Sequence, residues 1–293
     1  MVRGYFSKKR FEQLHRKNGR ISTLEMNEAN HLKLKQLENA LSSLKGAFIA
    51  FSGGMDSGFL ALAAEKWMPE RYRAVTAVSE FISNHELKHA KKAAKHFGIP
   101  LELVHLQLLA SPEIAGNPVD RCYHCKKMIF SRLQDELPTD WVLLDGTNSD
   151  DLTEHRPGMK ALTELGVISP LLNAKIGKAC IREILKEWNA DDIFDRPPQA
   201  CLATRIPTGT WLSPKLLCRI EKGEEIVRGL GFDLFRLRCH GDAARLEFPP
   251  EIVECSIPRL REIAPELHRL GFRHIAVDIE GYGFASKKGT KHD

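Results

Sequence analysis

Apolar residues along this chain change their spacing at intervals, and each change marks an element. From about Asn30 to Leu44, Leu34, Leu37, Leu41 and Leu44 recur at helical spacing. Ala47-Phe48-Ile49-Ala50-Phe51 follows, apolar on both faces as in the buried strands of parallel sheets. The small, polar stretch Ser52–Ser57 interrupts it, and a helical run through Leu60, Leu62 and Ala64 comes next. Ala74–Val78 reads as a second strand, and Asn84 is expected to cap a helix whose Leu87, Ala90, Ala94 and Phe97 stop at Gly98. Leu101–Leu106 and Trp141–Leu144 supply a third and a fourth strand. Strands alternating with helices predict an α/β fold, a parallel sheet with helices on both faces. Ligands of such sheets bind beyond the carboxyl ends of the strands, where Ser52–Ser57, Ser79 and Asp145-Gly146-Thr147-Asn148 all fall.

The pattern loosens at Asp195-Arg196-Pro197-Pro198, because proline bars helix continuation. Ser213-Pro214 then opens a helix running to Leu230 and closed by Gly231. Leu234–Arg238, Arg245–Phe248 and His274–Ile279 read as strands, with a helix between Pro258 and Leu270. The expected division is a basic extension over residues 1–30, an α/β domain over 31–196 and a smaller α+β domain over 197–293.

Composition narrows the class. Apolar residues at 43% and charged residues at 28% are ordinary for a soluble globular chain. No apolar run reaches the roughly 18 residues of a membrane span, and no signal-peptide core follows Met1, so a cytoplasmic protein is expected. The formal charge of +5 is concentrated in residues 1–20, where seven basic residues face Glu12 alone. Any grip on nucleic acid is thereby confined to the head, for which a solvated arm is the plainer reading. Seven cysteines, an odd number in a long chain, do not make a disulfide framework. Reduced thiols that do chemistry, hold metal or fill the core are expected instead.

The strongest chemical signal is Ser52-Gly53-Gly54-Met55-Asp56-Ser57 between strand and helix. Gly53 and Gly54 let the backbone approach phosphate, the following amides point at it from the positive helix end, and Ser52 and Ser57 add hydroxyl donors. The Gly-Lys-Ser/Thr ending of a Walker loop is absent, and Asp56 is placed to hold Mg²⁺ beside the phosphates. A second signal is Cys122-Tyr123-His124-Cys125 at the head of a helix carrying Ile129, Leu133 and Leu137, with Cys201 far downstream. Two thiols at this spacing can share a metal centre or a redox couple, and a helix start is expected to lower their pKa. A closed zinc site would need His124 as fourth ligand, whereas a cubane held by Cys122, Cys125 and Cys201 leaves one iron open. Cys180, Cys218, Cys239 and Cys255 read as core or incidental thiols.

Ser52–Ser57 resembles the PP-loop of the ATP pyrophosphatases, which release pyrophosphate and leave AMP on a substrate oxygen; Met55 stands where valine is usual. Further segments narrow the resemblance: Asn117–Lys126, Asp145–Asp151 with Arg156-Pro157-Gly158, Ser169-Pro170-Leu171, and Ala200–Gly209, in which Thr204 replaces the usual serine. Together they cover roughly residues 35–283 in order and resemble the LarE-type sulfur transferases. The resemblance implies adenylation of the carboxylates of pyridinium-3,5-biscarboxylic acid mononucleotide and their conversion to thiocarboxylates for the nickel-pincer cofactor of lactate racemase. It implies ATP and Mg²⁺ as cofactors, and sulfur supplied either by Cys201 itself or through a [4Fe-4S] cluster on Cys122, Cys125 and Cys201, the version favoured by this three-cysteine pattern. Sulfide or a cysteine-derived donor would then be the sulfur source.

By the same resemblance Cys201, Asp56, Arg205 and Glu224 are the candidate catalytic residues. Ser52, Gly53, Gly54, Ser57, Ser79 and Gly146 are expected at the nucleotide, Arg236 and Arg238 at a substrate phosphate, and a homo-oligomer is expected. The residues alone leave Arg236 and Arg238 as a same-face pair on a strand, and Glu221, Glu224 and Glu225 as helix carboxylates among which Glu224 is chosen. Two competing readings keep less of this: a PP-loop enzyme thiolating a tRNA base with the basic head as grip, and a non-catalytic nucleotide- or metal-binding protein.

Overall fold

The computed structural model describes residues 28–153, 158–194 and 200–282. The chain runs α1 (Glu28–Ser42), β1 (Ala47–Ala50), α2 (Met55–Trp67), β2 (Tyr72–Val78), α3 (Asn84–Phe97), β3 (Leu101–His105), α4 (Pro112–Ala115), α5 (Arg121–Asp135) and β4 (Val142–Leu144). It continues through α6 (Gly158–Glu164), α7 (Pro170–Asn173), α8 (Lys178–Glu187), α9 (Asp191–Phe194), α10 (Pro214–Gly229), β5 (Arg236–His240), β6 (Ala243–Glu247), α11 (Val253–Arg269) and β7 (His274–Val277).

Two-sided burial organises the larger sheet. Side chains alternate along β1, so Ala47 and Ile49 enter one core while Phe48 enters another. The first core gathers α1, α2, α3 and α8 through Leu37, Leu60, Ala94 and Ile181; the second gathers α5 and α6 through Leu133 and Leu162. The four strands are parallel in the order β3-β2-β1-β4, so helices cover both faces as the sequence pattern requires. Strand order reverses between β1 and β4, and there the carboxyl ends open a crevice. Helix α2 is apolar all round, burying Phe59 to Ala64 without a break. Each such Phe or Leu contributes about 1.5–3 kcal/mol, which fixes the helix whose start faces that crevice.

The second sheet, ordered β5-β6-β7, pairs β5 with β6 antiparallel and β6 with β7 parallel. Leu237, Cys239, Ala244 and Leu246 point inward with Leu217, Ile220, Val227 and Leu267. The same core takes in Phe81, Leu108 and Ile114 from connections around the larger sheet, so the two sheets share buried contacts.

Most expected boundaries shift by one or two residues, and three differences have a clear local cause. Ser83, not Asn84, caps α3: its hydroxyl accepts from Glu86 N at 3.2 Å, leaving Asn84 as the first helical residue. Strand β5 begins at Arg236 because a two-residue Gly241-Asp242 turn, with Gly241 at φ 65°, pins His240 opposite Ala243 and sets the register. Helix α11 begins at Val253 and contains Pro258 and Pro265. Pro258 lies near the start of the helix, and burial of Leu260, Ile263 and Leu267 outweighs the lost backbone bonds. The Asp195–Pro198 break, Arg156-Pro157, the basic head and the end of the chain beyond Tyr282 lie outside the described residues.

Candidate active site

The loop after β1 is built to leave donors open. Gly53 adopts φ 76°, and a Cβ there would stand 2.7 Å from Ala90 Cα of α3, so glycine is required both for the backbone conformation and for the close approach. Gly54 sits at the N-cap of α2 with no side chain capping the helix, so the first amides of α2 face the crevice without a side-chain acceptor. Serine hydroxyls stitch the loop together: Ser52 Oγ lies 3.1 Å from Ser57 Oγ, and Ser57 Oγ donates to Gly54 O at 3.2 Å. Ser57 is buried and holds the loop's shape in this state, while exposed Ser52 faces the cleft. Gly146, after β4, packs on the start of α2, where a Cβ would lie 2.9 Å from Ser57 N. His89 Nε2 is 3.1 Å from Gly53 O; a carbonyl only accepts, so this ring nitrogen carries the proton.

Cys125 and Cys201 come from distant parts of the chain to line one cleft, and Cys122 lies on the same helix as Cys125. Cys122 and Cys125 lie in the first turns of α5, and Cys201 at the start of the 3₁₀ turn Leu202–Arg205. Buried Arg121 ties the two segments together: it bonds Asn117 Oδ1 and donates to Ala203 O at 3.2 Å, while Asn117 Nδ2 donates to Pro207 O at 2.8 Å. Leu202 N adds a bond to Phe81 O at 2.9 Å. The expected lowering of thiol pKa at the helix start is not seen at Cys125. Burial pushes that thiol up to about 12, neighbouring Cys201 and Cys122 add to the rise, and Arg121 and Lys126 oppose it; desolvation outweighs the helix dipole. His124 is committed elsewhere, with Nδ1 at 3.1 Å from Glu113 and Nε2 at 3.1 Å from Asp120. Among the described residues no three His, Cys, Asp or Glu side chains gather closely enough to hold a single metal ion. Cys180 and Cys239 are buried, while Cys218 and Cys255 are exposed and do not fill the core.

Behind Cys201 lies a buried ion pair. Arg205 Nε donates to Glu224 Oε1 at 2.8 Å, with exposures of only 2% and 4%. The guanidinium also donates to Ala200 O at 2.8 Å, Cys201 O at 3.4 Å and Thr204 Oγ1 at 3.0 Å, so the pair grips the Cys201 turn by its backbone. Glu224 additionally accepts from Leu237 N at 3.4 Å, joining that turn to β5. Arg236 and Arg238 share a face of β5. Arg238 pairs with buried Glu247 at 3.0 Å and bonds Thr204 O, while Arg236 lies 4.7 Å over the Tyr282 ring. Burial lowers the Arg236 pKa; Tyr282 opposes this, and Arg238 and Arg205 add to it.

A cleft of about 220 Å³ brings much of this together: Ser52, Ser79, Cys125, Cys201, Arg205 and Glu224 all line it. Gly53, Gly54, Asp56, Ser57 and Gly146 form the phosphate loop and its support beside that space, and Cys122, Arg236 and Arg238 stand outside its lining. An adjoining hollow shares Ser79, Ile82 and Leu202 with it. Sequence reasoning missed Arg228 and Glu86, which also line the cleft. Arg228 follows Glu221 and Glu224 on one stripe of α10, a helical spacing that could have revealed it.

Comparison with known proteins agrees with this layout. The asparagine synthase family model matches residues 36–132, the segment from α1 through the phosphate loop to α5. The chain is 35% identical to an uncharacterized protein of Synechocystis over 85% of its length and 94% of that protein's. It is 33% identical to an uncharacterized protein of Methanocaldococcus jannaschii, covering 97% of it. It is 31% identical over 253 residues to the pyridinium-3,5-bisthiocarboxylic acid mononucleotide synthase of Lactiplantibacillus plantarum, covering 85% of this chain and 91% of that enzyme. With a PP-loop built to take ATP and Mg²⁺ beside a thiol-bearing turn, the chain belongs to the LarE-type family of ATP-dependent sulfur transferases.

Proposed function

We propose that this enzyme adenylates the carboxylates of pyridinium-3,5-biscarboxylic acid mononucleotide and replaces the activated oxygen with sulfur, yielding the bisthiocarboxylate named in its Lactiplantibacillus relative. The observation that carries the reading is the shared cleft of Ser52 and Cys201, which sets the phosphate loop and a thiol on one space. A carboxylate is a poor electrophile because its leaving group would be oxide. The amides at the start of α2 would take the ATP phosphates, and Asp56 would hold Mg²⁺, which would offset their negative charge; a carboxylate oxygen bonds to the α-phosphorus and pyrophosphate leaves. Sulfur then bonds to the acyl carbon, and the C–O bond breaks as AMP departs with the oxygen. Arg205 and Glu224 position the Cys201 turn, and Gly146 holds the loop. Arg236 and Arg238, on the adjoining face of β5, would take the substrate phosphate.

The three-cysteine pattern of Cys122, Cys125 and Cys201 supports a [4Fe-4S] cluster over a closed zinc site, which would need His124 as fourth ligand, a residue held by Glu113 and Asp120. A cubane spreads three thiolates over three irons, and the mutual effect of these thiols on Cys125 supports a common neighbourhood. Bound there, the cluster would offer an open iron to sulfide. The test is pyrophosphate release dependent on the biscarboxylate nucleotide, with iron and sulfide analysis of anaerobically purified protein. Absence of that dependence overturns the substrate, and failure to take up iron and sulfide overturns the cluster. A loss of ~34 Da at Cys201 after turnover would assign the sulfur to that residue instead.

A further inference from the structure

We infer that Arg228 holds a carboxylate of the acceptor in the sulfur-transfer cleft, an inference resting on the functional reading above. Arg228 lies one turn beyond Glu224 on α10 and lines the same space as Cys201. Its Nε is buried and has no hydrogen-bond partner among the described residues. Its guanidinium rests 5.5 Å over the Phe235 ring, an apolar seat that orients the charge without neutralising it.

Among the neighbouring guanidiniums Arg236 shares this state, with its Nε unpartnered among the described residues and the group over Tyr282, but it stands outside the cleft lining; the others are matched. Arg205 is matched by Glu224 and by backbone carbonyls, Arg238 by Glu247 and Thr204 O, and Arg121 by Asn117 and Ala203 O. Of the carboxylates in the lining, Glu224 is given to Arg205, and Glu86 Oε1 stands 3.1 Å from His85 Nδ1. Arg228 therefore presents a charge to the cleft with no ion pair among the described residues. A buried N–H without an acceptor calls for an explanation, and at Arg228, in the lining of a cleft, a bound anion supplies one. Guanidinium matches an oxyanion in a two-point fork.

Position identifies which anion. ATP phosphates belong at the Ser52 end, on the start of α2, whereas Arg228 stands on α10 with Glu224, on the wall that carries the Cys201 turn. An acceptor carboxylate must come up against a phosphorus that is itself ringed by negative oxygens. A cation on the acceptor's side offsets that repulsion and fixes which oxygen faces the phosphorus.

The test compares wild type, R228Q and R228K in steady-state pyrophosphate release with Mg-ATP and pyridinium-3,5-biscarboxylic acid mononucleotide, with thermal melting alongside. Loss of a charged hydrogen bond to the acceptor is expected to raise its KM roughly 10- to 100-fold in R228Q. The KM for ATP should stay within about threefold, and R228K should recover part of the loss. An acceptor KM unchanged in R228Q overturns the assignment. So does an equal rise in the KM for ATP, which would make Arg228 a holder of nucleotide phosphate, or a lowered melting temperature with a fall in kcat that R228K does not relieve. Should R228Q not fold, the KM split in R228K decides by the same criteria. A wild type that releases no pyrophosphate with this acceptor removes the functional reading and this assignment together; an active wild type with a normal R228Q removes the assignment alone.

Discussion

At the scale of single residues, the site depends on atoms that are missing as much as on those present. Gly146 carries no Cβ because one would stand 2.9 Å from Ser57 N and 3.2 Å from the Asp56 carbonyl carbon, both part of the α2 backbone. Gly146→Ala should therefore displace the first amides of α2, raising the KM for ATP on the order of tenfold, as misplacement of a binding group does. Steady-state kinetics with ATP varied will check this. Arg205 and Glu224 make the opposite case, a pair whose value lies in both members being present. Removing one leaves a buried charge without its partner, at a cost of about 3–5 kcal/mol. Arg205→Met and Glu224→Met should each destabilise by that order, while the double variant loses less than the sum, as denaturant unfolding of the cycle will show.

At the scale of elements, helix ends decide the chemistry. Helix α2 is left uncapped by any side chain, whereas α3 beside it is capped at both ends: Ser83 accepts from Glu86 N, and Gly98 closes the helix in the left-handed region. Under the proposed function the orphan amides of α2 are what the ATP phosphates need. Helix α3 in turn supports the loop through Ala90 against Gly53 and through His89 on Gly53 O. Ser83→Ala should cost about 1 kcal/mol of stability, measured as a lower midpoint of urea unfolding. Saturating ATP should offset part of that loss, because nucleotide on α2 holds the same loop from the other side.

At the scale of the whole molecule, the cleft exists because two cores are joined. Phe81 and Leu108, from connections of the larger sheet, enter the core of the smaller one, and Arg121 and Asn117 bond the backbone at Ala203 and Pro207. These contacts bring the Cys201 turn to the carboxyl edge of the parallel sheet. Activation and sulfur transfer should therefore be separable at a single atom. Cys201→Ser is expected to keep its stabilisation by Mg-ATP, about 2.7 kcal/mol at a hundredfold excess over Kd, and to keep pyrophosphate release while losing the thiocarboxylate product. Thermal melting with nucleotide and mass analysis of the product will separate the two steps.

The chain's own pattern was enough for the local half of this account. Two-sided apolar runs make buried parallel strands, and a small, glycine-bearing stretch between strand and helix makes the tight loop at the start of α2, because both follow from neighbours in sequence. The order of motifs likewise marked the cysteines and the Arg205 turn. What local pattern could not settle was the state of each group once buried. The Cys125 thiol is raised rather than lowered, since desolvation depends on what packs around it. His124 is held by carboxylates, since Glu113 lies across from α5 only in the folded chain. Glu224 is matched by Arg205 while Arg228, one turn on, is matched by no carboxylate among the described residues. Helical spacing put both on one stripe of α10, but only tertiary packing assigned one its counter-ion and turned the other to the cleft.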